Sequence, residues 1–97
     1  MNLMTFSEVA AGMEQFADQP DIIAAWKARN DINYIRLEAL LQGFAKATTR
    51  TVMERLASPL EEDTLETFQA MTRKAALATD IANSVASWQR GAPMLGN

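Results

Sequence analysis

Histidine and cysteine are both absent from this chain of 97 residues, which also has only four glycines and three prolines. Their absence excludes imidazole bases, thiol nucleophiles, disulfides and the usual Cys/His ligands of zinc, haem and iron–sulfur clusters. No run of about 18 apolar residues occurs, so we expect no membrane-spanning helix. The start of the chain lacks a basic region followed by an apolar core. We therefore predict a cytoplasmic protein, or one exported without a cleaved signal peptide as part of a secretion machine.

The residues that dominate the chain favour helices. Ala, Leu, Glu, Gln and Met fill the periodic segments, and no alternating run of β-branched and aromatic residues occurs. We therefore predict one all-α domain, residues 1–97, built as a helical hairpin with a short N-terminal helix, in a small helix bundle or a helical assembly. A chain of this length buries only about 60–65% of its unfolded surface, so a homo-oligomer or a larger protein complex is expected.

The predicted first helix covers residues 6–17. Thr5 and Glu8 form a capping-box pattern at its start, and Pro20 disfavours its continuation. One apolar stripe at helical spacing indicates the face that it buries. That stripe consists of Phe6, Val9, Met13 and Phe16.

The second helix is predicted over residues 21–57. Polar side chains at residues 30–33 compete for backbone hydrogen bonds, so the pattern leaves open a kink or a short break there. Gly43 either admits another backbone at close range or is a tolerated glycine that costs roughly 1 kcal/mol relative to alanine. The apolar stripe of this helix consists of Tyr34, Leu37, Leu41, Phe44, Thr48, Val52 and Leu56.

The strongest local signal in the chain is a helix start at residues 58–61. Ser58 suits the capping position, Pro59 the first helical position, and Glu61 the reciprocal place in a capping box. We predict a last helix over residues 59–89, ended by Gly91 and Pro93. Carboxylates crowd its predicted first turns, where they favour the positive end of the helix dipole rather than a metal ion. They are Glu61, Glu62, Asp63 and Glu66.

This last helix carries two apolar stripes, of which a two-helix hairpin covers only one. The other is covered either by the N-terminal helix of the same chain or by neighbouring subunits. Trp26 and Met94-Leu95 are further candidate anchors, because tryptophan and methionine are frequent at interfaces. The first stripe consists of Phe68, Met71, Ala75, Ala78, Ala82 and Val85, and the second of Leu77, Ile81, Ser84 and Trp88. The predicted interface residues are Phe68, Met71, Ala75, Leu77, Ala78, Ile81, Ala82, Val85 and Trp88.

No pattern of catalytic residues emerges. The serines have neither a GxSxG context nor a histidine partner, and the glycines are too widely spaced for a phosphate-binding loop. Nothing around Glu38 or Glu54 indicates an acid–base pair. We predict a non-enzyme without a cofactor, a metal or a small-molecule substrate.

The net charge of −3 argues against broad binding of nucleic acid, which needs a basic face. A local exception lies in residues 27–55, where six basic residues outnumber three acidic ones. A solvated helix face is the simpler interpretation of that segment. The alternative is a nucleic-acid contact through Lys46, Arg50 and Arg55.

Residues 52–59 read VMERLASP, and they are followed by Leu65, by Phe68-Gln69 and by an alanine-rich run through residues 81–85. These features resemble the C-terminal part of type III secretion inner-rod subunits and of the related flagellar rod-base adaptor. The resemblance implies a proline-containing turn before a final helix, with Phe68-Gln69 and Asn83 at the corresponding places. It also implies subunits that stack helically around a secretion channel.

We therefore expect a structural subunit of a multi-protein assembly, with an axial rod component of a secretion apparatus as its specific form. The alternative is a small cytoplasmic adaptor or chaperone, which would bind a partner helix on residues 34–56.

Overall fold

A computed structural model describes residues 3–89, apart from the side chains of residues 31–33 and 89. Helix α1 (Phe6–Gly12) continues into a 3-10 turn (Met13–Phe16), and α2 (Pro20–Lys27), α3 (Asp31–Ala57) and α4 (Leu65–Gln89) follow. No strand occurs among residues 3–89. The predicted all-α hairpin with a short N-terminal helix is therefore confirmed.

The capping box predicted at the first helix is present. Thr5 Oγ1 accepts a hydrogen bond from the Glu8 main-chain nitrogen at 3.1 Å, and Glu8 Oε1 accepts one from the Thr5 main-chain nitrogen at 2.9 Å. The hydrogen bond from the Thr5 backbone is the main reason why the pKa of Glu8 lies below its ordinary value. The helix then tightens into the 3-10 turn, which ends before Pro20.

The segment predicted over residues 21–57, with a kink or short break left open at residues 30–33, is two helices. The break lies at residues 28–30 and overlaps that polar stretch at Asn30. Arg29 stabilises the end of α2, because its Nη1 donates to the Trp26 carbonyl at 2.9 Å and its guanidinium lies 4.2 Å from the centre of the Trp26 ring.

The last helix begins at Leu65, not at Pro59 as the sequence indicated. Thr64 is its cap, since Thr64 Oγ1 accepts from the Thr67 main-chain nitrogen at 3.1 Å. Residues 60–63 form a turn instead, in which the Leu60 main-chain nitrogen donates to Asp63 Oδ2 at 2.8 Å. The dipole role predicted for the carboxylates therefore applies to Glu66 alone, which lies in the first turn of α4.

The predicted stop signals Gly91 and Pro93, and the candidate anchor Met94-Leu95, lie outside the described residues. Within them, α4 extends to Gln89, as predicted.

Helices α3 and α4 pack antiparallel. Tyr34 near the start of α3 meets Trp88 near the end of α4, with ring centres 5.8 Å apart and nearly perpendicular. Between the two helices lies a core of fully buried residues, which are Leu37, Leu41, Ala78, Ala82 and Val85. The first stripe of α4 is thus covered by α3 along this part of the hairpin.

The second stripe of α4 is covered by the chain's own N-terminal segment, which decides between the two alternatives left open above. The rings of Phe6 and Trp88 lie 5.8 Å apart. A Cβ atom on Gly12 would lie 3.2 Å from Ile81 Cδ1, so α1 approaches α4 closely there. Gly43, by contrast, has no atom within 4 Å of its Cβ position, so it admits no neighbouring backbone.

We call residues 3–16 the N-terminal layer. It ends where Phe16 packs on Phe44, with ring centres 5.4 Å apart. Just beyond it, Asp18 pairs with Lys74 at 3.0 Å. The chain then turns back through α2, which packs on α3. The hairpin therefore has two halves. In the closed half, the N-terminal layer covers α3 and α4; in the open half, α3 and α4 have no such cover. The open half consists of residues 46–57 of α3, the turn 58–64, and residues 65–73 of α4.

Candidate interaction surface on the open half of the hairpin

The interface residues predicted on the last helix lie mainly in the core of the single chain. Phe68, Met71 and Leu77 are half-buried. The other six are buried, and they are Ala75, Ala78, Ile81, Ala82, Val85 and Trp88. Their role between chains stays a prediction, because their burial is already accounted for by α3 and the N-terminal layer.

Large apolar side chains are exposed mainly at the open half. Four of them form what we call the tip cluster: Met53 is 66% exposed, Leu56 60%, Leu60 49% and Leu65 72%. The other exposed large hydrophobic residues of the described chain are Leu3 and Ile35. Sequence analysis missed the tip cluster, because Leu56 continues the stripe of buried residues on α3 and nothing local shows that the covering layer ends at Phe16.

The turn that carries part of this cluster is held in place by an ion pair. Arg55 Nε lies 3.4 Å from Asp63 Oδ1, and Arg55 Nη2 lies 3.8 Å from Glu62 Oε1. The Asp63 side chain is fully buried, and its Oδ1 accepts no hydrogen bond, so the charge of Arg55 is what compensates its burial. Leu60 is therefore displayed on a turn of defined shape, and Leu65 follows that turn as the first residue of α4.

A groove runs between α3 and α4 beside the tip cluster. Its apolar wall is formed by Val52, Leu56, Leu65 and Phe68, and its rim by Gln69, Thr72 and Arg73. Phe68-Gln69, which carried the family resemblance, thus lies at this groove. An apolar groove with a polar rim is the kind of surface that receives apolar side chains of another chain.

A second shallow groove follows the exposed face of α3. Lys46, Arg50, Met53 and Glu54 line it, together with the small residues Ala45, Thr49, Ala57 and Thr79. We call Lys46, Arg50, Met53, Glu54 and Ala57 the α3 outer face. Their spacing of three or four positions places them on one side of the helix.

The three basic residues considered for nucleic acid do not form one surface. Lys46 and Arg50 share the α3 outer face, whereas Arg55 is paired with Glu62 and Asp63. Glu54 lines the same groove as Lys46 and Arg50. The groove therefore carries charges of both signs, which disfavours a phosphate backbone.

The surface considered for a partner helix is open only in part. Within residues 34–56, Leu37, Leu41 and Ala45 are buried in the chain's own core. Of the apolar stripe on α3, Leu56 is the exposed residue, so the stripe is most open to another helix near that end.

Among residues 3–89, no group of three or more carboxylates is arranged to hold a metal ion. In the same part of the chain, no helix is both long and apolar enough to span a membrane.

Comparison of the chain with protein-family models, with curated proteins and with solved structures finds no match.

Proposed function

We propose that the protein is a non-catalytic structural subunit that associates with further copies of itself through the open half of its hairpin. One observation carries the proposal, which is the exposure of four large apolar side chains between residues 53 and 65. Burying an exposed Leu or Met side chain stabilises a complex by about 1.5–3 kcal/mol. Leu56 and Leu65 line one groove, and exposed apolar surfaces of this kind are characteristic of interaction sites.

The fold directs this association away from the part of α4 beyond residue 73 and towards its first turns. From Ala75 onwards, both stripes of α4 pack within the chain, on α3 and on the N-terminal layer. Contacts between copies are therefore proposed at the tip cluster and the grooves beside it.

More specifically, we propose that the protein is an axial rod component of a protein-secretion apparatus and that it is exported without a cleaved signal peptide. That form is supported by the family resemblance of residues 52–59, 68–69 and 81–85 alone.

The test is the mass of the purified chain across a concentration series, measured by light scattering with circular dichroism on the same samples. We expect the mass of the wild type to grow with concentration. The double variant Leu56→Glu, Leu65→Glu should remain helical and should not grow into large species, because it places charges within the tip cluster. Ile35→Glu is the matched control, since Ile35 is also exposed on α3 but lies in the closed half.

A wild-type chain that stays monomeric at every concentration would contradict self-association. The second candidate function, an adaptor that binds one partner helix, would then be favoured. The observation behind it is the groove lined by the apolar side chains of Val52, Leu56, Leu65 and Phe68.

A further inference from the structure

The charges on the α3 outer face follow a definite order. Lys46 and Arg50 come before Met53, and Glu54 comes after it. The acidic turn with Glu61 lies beyond the end of the helix. On this surface, positive charge therefore precedes the exposed Met53 and the negative charge of Glu54 follows it.

These charges have no ionic partner within the described chain. The ion pairs among residues 3–89 join Arg55 to Glu62 and Asp63, and Lys74 to Asp18. Lys46, Arg50 and Glu54 are exposed, as is Glu61, and they take part in none of these pairs.

Such an order is self-complementary when two copies of the helix run in opposite directions. A two-fold axis at residue 52 would place Arg50 of each copy opposite Glu54 of the other, and Lys46 of each towards the other's acidic turn. A parallel pair would instead set like charges side by side, which is unfavourable. The order of charges thus selects one direction.

The apolar and small residues of the same surface fit this arrangement. Met53 lies about 1.5 Å along the helix from residue 52, so the two copies of this flexible side chain would meet at the centre. Thr49 and Ala57 flank it and leave room for the backbones to approach.

We infer that a second copy of this chain binds here, with α3 packed antiparallel against α3 of its partner around Met53. This pairing rests on the self-association proposed above and specifies its partner, its face and its direction. The rest of the tip cluster, Leu56, Leu60 and Leu65, stays available for contacts with further copies.

Charge reversal tests the electrostatic part. The acidic variant carries Lys46→Glu and Arg50→Glu, and the basic variant carries Glu54→Lys and Glu61→Lys. Each variant alone should have a dissociation constant at least about tenfold above that of the wild type, a change equivalent to about 1.4 kcal/mol. An equimolar mixture of the two should recover the wild-type affinity, because every contact is again between opposite charges. Measurements in low salt keep these exposed charges unscreened.

Engineered cysteines test the direction, and the absence of native cysteine makes the readout clean. Met53→Cys should form disulfide-linked dimers on mild oxidation. Ala57→Cys should not, because two such residues would lie about 15 Å apart along antiparallel helices, beyond the reach of a disulfide. A parallel pair would link both variants equally.

The outcomes separate this inference from the proposed function. Association of the wild type with equal linking at residues 53 and 57, with linking at neither, or with no effect of charge reversal would overturn the antiparallel pairing and leave self-association standing. A wild type that never associates would overturn both.

Discussion

The main-chain nitrogen of Met4 donates a hydrogen bond to Ser84 Oγ at 2.8 Å, although the two residues are 80 positions apart in the sequence. The Ser84 hydroxyl in turn donates to the Asp80 carbonyl at 2.8 Å, and its side chain is fully buried. A single hydroxyl thus satisfies one polar group of the N-terminal segment and joins that segment to α4. This bond is the only side-chain hydrogen bond in the described residues that connects Met4 to the hairpin.

Ser84→Ala should therefore destabilise the fold by about 1–3 kcal/mol, because it leaves the Met4 N–H without its partner in a partly buried place. Urea denaturation followed by circular dichroism measures the free energy of unfolding. Ser7→Ala is the control, since Ser7 is exposed, and it should change stability by less than about 0.5 kcal/mol. Equal effects of the two substitutions would show that the hydrogen bond does not stabilise the N-terminal layer.

Two helical glycines should respond in opposite ways to a larger side chain. Gly12→Val should lower the free energy of unfolding by about 1–3 kcal/mol, because Ile81 Cδ1 lies 3.2 Å and Leu77 Cδ1 3.5 Å from the position of its Cβ. Gly43→Ala should raise it by about 0.5–1 kcal/mol, because the site is open and glycine is a poor helix former. Chemical denaturation of both variants checks the signs. A stabilising Gly12→Val would refute the close packing of α1 on α4.

Removal of the two candidate caps distinguishes the start of α4 from the start predicted by the sequence. Thr64→Ala should cost about 1 kcal/mol, because Thr64 Oγ1 accepts from the Thr67 main-chain nitrogen. Ser58→Ala should have little effect, because Ser58 follows α3, with its main-chain nitrogen bonded to the Glu54 carbonyl at 2.9 Å. Thermal unfolding of the pair provides the comparison. The reverse ranking would place the start of α4 at Pro59.

The ion pair of Asp18 and Lys74 should make the attachment of the N-terminal layer dependent on pH. Lys74 Nζ donates to Asp18 Oδ1 at 3.0 Å, and this hydrogen bond lowers the pKa of Asp18 below its ordinary value. A lowered carboxyl pKa stabilises the fold above the unfolded value of about 4 and ceases to do so as the pH falls through the folded value.

Asp18→Asn should accordingly have a lower Tm than the wild type at pH 7, and the two values should converge in strong acid. Thermal unfolding across a pH series measures this difference. Added salt should reduce it at neutral pH, because the pair is exposed at Asp18. A difference that persists unchanged in acid would mean that Asp18 acts by something other than its charge.

Local signals predicted the first helix well and the last helix less well. The capping box at Thr5 involves residues three positions apart, and no distant contact competes with it. Ser58 and Thr64 offer two caps of similar strength to one helix. The choice between them is made by Asp63, whose bond to Leu60 and pairing with Arg55 hold residues 60–63 as a turn.

The sequence did not predict the candidate surface formed by the tip cluster and the grooves beside it. Helical periodicity shows which side of α4 is buried but not which element buries it. The sequence therefore pointed to α4 as an interface, whereas Ile81 and Val85 lie inside one chain. The exposure of Leu65 depends on where the turn ends, which helical periodicity does not show.

The amino-acid sequence by itself determined the all-α class, the cap of α1 and the inward faces of α3 and α4. These are properties of residues within a few positions of one another, set by helix propensity, capping and periodicity. Only the tertiary structure decided that the N-terminal layer covers the second stripe of α4 and that this layer stops at Phe16. That stop leaves the tip cluster exposed, and it depends on contacts between residues far apart in the chain, such as Phe16 with Phe44 and Asp18 with Lys74.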